Sequence, residues 1–71
     1  MMQLHTLTGS SQIARYGYEP DTQTMAVEFV RGGLYHYFEV PPEVFEGFIA
    51  ASSKGSYHHR NIKGAYRYER Q

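Results

Sequence analysis

The sequence predicts an α+β domain: a three-stranded antiparallel sheet, built as a β-meander and covered on one face by one or two short helices, in the order β-β-β-α-α. Three observations carry this prediction. Residues 25–31 (Met25-Ala26-Val27-Glu28-Phe29-Val30-Arg31) put Met25, Val27 and Phe29 on one face and Ala26, Glu28 and Val30 on the other, the period of a strand. Gly32-Gly33 follows, two residues free to take φ > 0, which is a hairpin signal. After Pro41-Pro42 the period changes, and Val44, Phe45, Phe48 and Ile49 fall on one helical stripe. Strands that precede helices, without alternating with them, point to an α+β domain.

The first strand is read over residues 10–18, where Ile13, Tyr16 and Tyr18 sit in an extended-looking run. Glu19-Pro20-Asp21-Thr22-Gln23-Thr24 is a turn: Pro20 suits its first central position, and Asp21 and the threonines can bond their own backbone. The hairpin strands are residues 25–31 and 34–40, the second rich in the aromatics that favour a pleated surface.

Register decides where Tyr35 and Tyr37 point, because a one-residue slip flips every side chain. A Gly32-Gly33 loop pairs Phe29 with His36 and Val27 with Phe38, which leaves both tyrosines on the outer face. A loop of Arg31-Gly32-Gly33 pairs Phe29 with Tyr35 and turns them inward. The two-residue loop is the expected one, because it buries Phe38 and Val40 with Met25, Val27 and Phe29.

Val40-Pro41-Pro42 ends the strand, since each proline pushes the residue before it out of the helical region. Pro42 suits the first helical position and Glu43 the positive helix end, so a helix is predicted over residues 43–51. Gly47 inside it costs about 1 kcal/mol relative to alanine, which a close approach by another backbone would explain. Ser53 caps a second helix through Arg60, with Tyr57 and Ile62 as core anchors and Lys54, His58 and Arg60 exposed. Gly64 stops it. Residues 65–68 run extended along the surface or pair with a sheet edge. Residues 10–68 form the single domain, and residues 1–9 and 69–71 are expected to fray.

Size and composition narrow the function. Seventy-one residues allow one domain. A chain of this length buries only about 60% of its unfolded surface, and its core supplies roughly 3–5 kcal/mol. There is no cysteine, hence no disulfide, no thiolate nucleophile and no cysteine zinc site. Seven Tyr and four Phe are the substitute for a staple. No run approaches the ~20 apolar residues of a membrane span, and the N-terminus lacks the pattern of a signal peptide. The expectation is a cytoplasmic protein.

The formal net charge is zero, but residues 1–53 hold six acids against two arginines, and residues 54–71 hold five cations against one acid. Cations interleaved with planar rings can grip a polyanion and stack its bases. The candidate contacts are Lys54, Arg60, Lys63, Arg67 and Arg70 on phosphate, with Tyr35, Tyr37 and Tyr57 as ring contacts. The same rings can equally be a packed core, and the same cations a solvated face.

Ser53-Lys54-Gly55-Ser56 resembles a phosphate loop, but it lacks the full glycine-lysine spacing and reads better as a helix cap. His58 and His59 are adjacent on a helix and point about 100° apart, so they do not chelate as i, i+4 histidines would. No cofactor, metal or catalytic residue is assigned, since no nucleophile elbow or triad pattern links the serines, histidines and acids. The module is read as non-catalytic.

Several segments together resemble the KTSC domain family: Tyr16-Gly17-Tyr18, Thr24-Met25-Ala26-Val27-Glu28-Phe29, Gly33-Leu34-Tyr35-His36-Tyr37, Val40-Pro41-Pro42-Glu43-Val44-Phe45, Ser52-Ser53-Lys54-Gly55-Ser56-Tyr57 and Asn61-Ile62-Lys63. The resemblance spans about residues 10–68, and Tyr35-X-Tyr37 and Ser53-Lys54-Gly55 are its best markers. It implies a small domain attached to some lysyl-tRNA synthetases and found alone in bacteria and phages. It carries over no catalytic residues, and it suggests RNA as a ligand through its neighbourhood. Two functions stand at this point: a module for RNA or single-stranded nucleic acid, and a protein-interaction or regulatory adaptor.

Overall fold

The computed structural model describes residues 2–71; Met1 lies outside the described residues. The chain forms β1 (His5–Thr6), β2 (Ile13–Glu19), β3 (Thr24–Phe29), β4 (Leu34–Tyr37), α1 (Pro42–Ala50), α2 (Lys54–Asn61) and β5 (Tyr68–Arg70). All strands join one antiparallel sheet in the order β1-β2-β3-β4-β5. The α+β class and the two consecutive helices are as expected, but the sheet has five strands where three were predicted.

β5 partly meets the expectation that residues 65–68 pair with a sheet edge, since it begins at Tyr68; the rest of the extra strands was hidden for a physical reason. Every residue of β1 and β5 is exposed, so neither carries an apolar alternation. Backbone pairing recruits them. Leu7 N–H donates to Ala14 C=O at 2.9 Å, and Gln71 N–H donates to Leu34 C=O at 2.7 Å. The segments expected to fray, residues 1–9 and 69–71, thus contribute to the sheet's two edge strands. Residues 2–4 also cross the sheet's outer face at Gly17, where a Cβ would lie 2.6 Å from the Gln3 carbonyl oxygen.

The hairpin register differs from the expected one. Met25 faces Tyr37, Val27 faces Tyr35 and Glu28 faces Leu34. The loop is Val30-Arg31-Gly32, closed by Phe29 N–H to Gly33 C=O at 3.0 Å and Gly32 N–H to Phe29 C=O at 2.9 Å. Gly32 takes φ 110° at the third loop position, where a three-residue hairpin loop with a bulge needs positive φ, and Gly33 after it takes φ 98°. Tyr35 and Tyr37 therefore point inward with Met25 and Val27.

The core is Ile13, Met25, Val27, Tyr37, Val40, Phe48 and Ile62. Val40 joins Tyr37 inside, although a continuous strand would place them on opposite faces. The strand stops at Tyr37, and Glu39 takes φ 58°, which rotates Val40 back toward the core. Tyr18 fixes this bend by donating from Oη to the Val40 carbonyl at 2.6 Å, and its ring stacks on Phe45 at 4.6 Å.

Pro42 opens α1 at its first turn as predicted, and Ser53 caps α2 by accepting the Ser56 N–H at 3.3 Å. Phe48 is buried, but Ile49, expected on the apolar stripe, is exposed. Gly47 admits a side chain where a close backbone was expected: a Cβ there would overlap the Tyr57 hydroxyl. No helix among the described residues is long and apolar enough to cross a membrane.

Candidate functional site

The inward register of β4 is what builds the site. Direct pairing of Tyr35 with Arg70 and of Tyr37 with Tyr68 places all four side chains on the helix-facing side of the sheet. Helix α2 packs over only part of this surface. Between it and β3–β5 lies an open groove of about 690 Å³, walled by Phe29, Tyr35 and Tyr68 and by His58 and His59 of α2. The rings support one another: Phe29 to Tyr35 at 5.5 Å, Tyr35 to Tyr68 at 5.8 Å and Tyr37 to Tyr68 at 5.8 Å between centroids.

His58 and Tyr37 form the polar part of the groove wall. His58 Nε2 and Tyr37 Oη are hydrogen-bonded at 2.9 Å, and both residues are buried. His58 was expected on the exposed face of α2. It turns inward because the inward Tyr37 offers a hydroxyl that satisfies its ring nitrogen. Burial pushes its pKa down to about 4, with help from the nearby Lys63 and His59, so the imidazole is neutral at pH 7. Burial, and then proximity to Tyr35 and Tyr68, pushes the Tyr37 phenol up to about 12. A neutral imidazole and a neutral phenol can exchange hydrogen bonds with a ligand, but they offer it no charge.

The cations come from three separate segments. Lys63, just past α2, and Arg31, in the hairpin loop, line the groove. Arg70 lies beside them, its guanidinium 5.9 Å from the centre of the Tyr35 ring. No acidic side chain lines the groove among the described residues, although the chain has seven acids.

The other expected contacts lie elsewhere. Arg60 is exposed on α2 outside the groove wall. Arg67 lies over the Phe38 ring at 4.4 Å. The half-buried Lys54 donates from Nζ to the Ala51 carbonyl at 3.2 Å, which satisfies the end of α1. Tyr57 is wedged between the helices and donates to the Val44 carbonyl at 2.9 Å. Of the tyrosines named from sequence, Tyr35 is half-buried in the groove wall, and Tyr37 keeps only 4% exposure. Tyr37 faces inward, not outward as the expected register had it.

Arg31 and Tyr68 line the groove but were not among the candidate contacts, although Tyr66-Arg67-Tyr68 is one of two Tyr-X-Tyr units that flank the basic run. Arg31 sits in the acidic first part of the chain, where a hairpin loop hides its destination. Tyr68 alternates with Arg70, and that spacing was the available signal, but the strand holding them is too short to stand out. Ser53-Lys54-Gly55-Ser56 forms the α2 cap beside a polar depression of about 240 Å³ that adjoins the groove at Ser11, Gln12 and Gly55.

Residues 9–66 match the KTSC domain. The chain belongs to the KTSC domain family. A crystal structure of a KTSC domain protein from Yersinia pestis superposes with a TM-score of 0.95 at 32% identity, covering 100% of this chain and 99% of that one. A lysine–tRNA ligase from a Nostoc species is 51% identical over 59 residues, which span 83% of this KTSC domain protein and 10% of the ligase. A protein from Stutzerimonas stutzeri is 42% identical over 62 residues, 86% of this chain and 87% of the relative. The KTSC fold therefore occurs both as a small part of a large ligase and as nearly the whole of a small protein.

Proposed function

We propose that this KTSC domain is a non-catalytic binding module for RNA or another single-stranded nucleic acid, and that the aromatic groove between α2 and β3–β5 is its binding surface. The observation that carries the reading is the composition of the groove. Arg31 and Lys63 line it, Arg70 flanks it, aromatic rings wall it, and acids are absent from it among the described residues. A polyanion with planar bases has the matching chemistry: phosphates for the cations and π-faces for the rings. Relatives named lysine–tRNA ligase act on a ligand of this class, which supports the reading without extending their activity to this chain.

The test is an anisotropy titration of labelled eight-nucleotide RNAs at low salt. Affinity well tighter than millimolar is expected, and Arg31→Ala with Lys63→Ala should reduce it by tenfold or more. Absence of measurable binding to any sequence at millimolar protein would end the proposal.

A protein-docking role rests on one observation. β5 is the last strand of the sheet, so its outer edge has no strand partner, and it adjoins the groove. An extended peptide could pair there. A stoichiometric partner that survives nuclease treatment would favour this second reading.

A further inference from the structure

We infer that Tyr68 is the base-stacking residue of the groove and that the groove accepts a base only when that base is unpaired; this rests on the nucleic-acid reading above. Tyr68 is the only exposed Tyr or Phe among the described residues, at 56% exposure. It lines the groove, and the Tyr35 and Tyr37 rings pack against it at 5.8 Å between centroids, tilted by 53° and 38°. A ring held by two neighbours yet more than half exposed loses little freedom when a planar ligand lies on it. None of the other six tyrosines is exposed: Tyr57 packs between the helices, Tyr16 and Tyr18 on Phe45, Tyr35 and Tyr37 against Tyr68, and Tyr66 against the core.

The polar pair in the wall sets which edge the groove can read. One proton occupies the bond between His58 Nε2 and Tyr37 Oη. If Tyr37 donates it, the Nδ1–H of the neutral imidazole is a spare donor and the phenol oxygen a spare acceptor. If His58 donates it, the phenol O–H is the spare donor and Nδ1 the spare acceptor. Either tautomer leaves one donor and one acceptor, and no other protein partner for Nδ1 occurs among the described residues. The Watson–Crick edge of a base carries complementary groups, and it is free to use them only outside a duplex, while the deep, narrow major groove of an RNA helix keeps side chains from the Hoogsteen edge. Within a helix the edge is paired and both faces are stacked, so neither Tyr68 nor the polar pair can reach it.

The experiment compares three ligands of equal length on the intact protein: a single-stranded eight-nucleotide RNA, the same strand with its bases removed, and the blunt duplex. The single strand is expected to bind about tenfold or more tightly than the abasic strand or the duplex. Tyr68→Ala should bring the single strand down to the abasic level, and Tyr68→Phe should restore the difference. Tyr68→Leu keeps apolar cover over Tyr35 and Tyr37, and it should behave like Tyr68→Ala. The chain has no tryptophan and seven tyrosines, so emission reports the tyrosines together and the variant isolates one ring: the single strand should quench the emission, and Tyr68→Leu should remove much of that quenching. Equal affinity for the single and abasic strands, or full affinity in Tyr68→Leu, would overturn this inference while leaving phosphate-driven binding intact. No affinity for any of the three would overturn the nucleic-acid reading as well.

Discussion

At the scale of single residues, His58 is the most pH-sensitive part of the core. Its imidazole is buried against Tyr37 and Phe29, with ring centroids 5.2 Å from each. Burial holds its pKa near 4, against an ordinary value of 6.5 in the unfolded chain. Between those values the unfolded state binds more protons than the folded one, so stability rises with pH. The stabilisation is complete above pH 6.5 and is lost as pH falls toward 4, at up to about 1.4 kcal/mol per pH unit. Urea midpoints should therefore fall between pH 7 and pH 5, and His58→Gln should flatten most of that drop. An unchanged drop in the variant would assign it to the carboxylates instead. Tyr37→Phe is the companion change. It keeps the ring but leaves His58 Nε2 without its partner, and should cost about 1–3 kcal/mol in a urea melt at pH 7.

At the scale of elements, the two helices lock through a glycine. A Cβ at Gly47 would overlap the Tyr57 hydroxyl and sit 2.9 Å from its Cζ, and that hydroxyl is held by the Val44 carbonyl. Gly47→Ala gains about 1 kcal/mol of helix propensity, but overpacking a rigid ring costs typically 1–3 kcal/mol. The variant should be no more stable than the parent and is expected to be less stable. Adding Tyr57→Ala to Gly47→Ala should recover the propensity gain relative to Tyr57→Ala alone. If Gly47→Ala proved clearly stabilising in thermal melts, the helices would not be packed through this contact. Sequence showed that Gly47 needed explaining, but not that the intruder was a side chain from ten residues further on. The hairpin has the same character. Gly32-Gly33 announced it correctly, and both glycines do take positive φ. The register matches neither expected loop, and the tyrosines turn inward because residues 34–40 do not form one strand, in which Phe38 and Val40 would share a face opposite Tyr37. The break at Glu39 resets that parity, and a left-handed glutamate leaves no pattern in the sequence. The edge strands were only partly legible, β5 as the edge pairing of residues 65–68 and β1 not at all, because backbone bonds hold them and their residues are exposed.

At the scale of the whole molecule, the zero net charge conceals a separation along the chain that folding redistributes. The basic C-terminal run was legible, but folding divides it: Lys54 satisfies α1, Arg67 lies on Phe38, and only Lys63 and Arg70 reach the groove region. Arg31 joins them from the acidic part of the chain, which no count of charge along the sequence could foresee. This redistribution has a measurable consequence. Each single-strand phosphate neutralised contributes roughly 0.7 to the slope of log affinity against log salt. If Arg31, Lys63 and Arg70 each meet a phosphate, the slope should be about −2. Lys63→Ala with Arg70→Ala should then bring it to about −0.7. Arg67→Ala should leave the slope unchanged, because its guanidinium is already placed over Phe38. A composition-driven attraction would behave differently, since every cation removed would flatten the slope alike. Equal effects from Arg67→Ala and Lys63→Ala would therefore mean that binding follows the charge of the C-terminal run and not the groove.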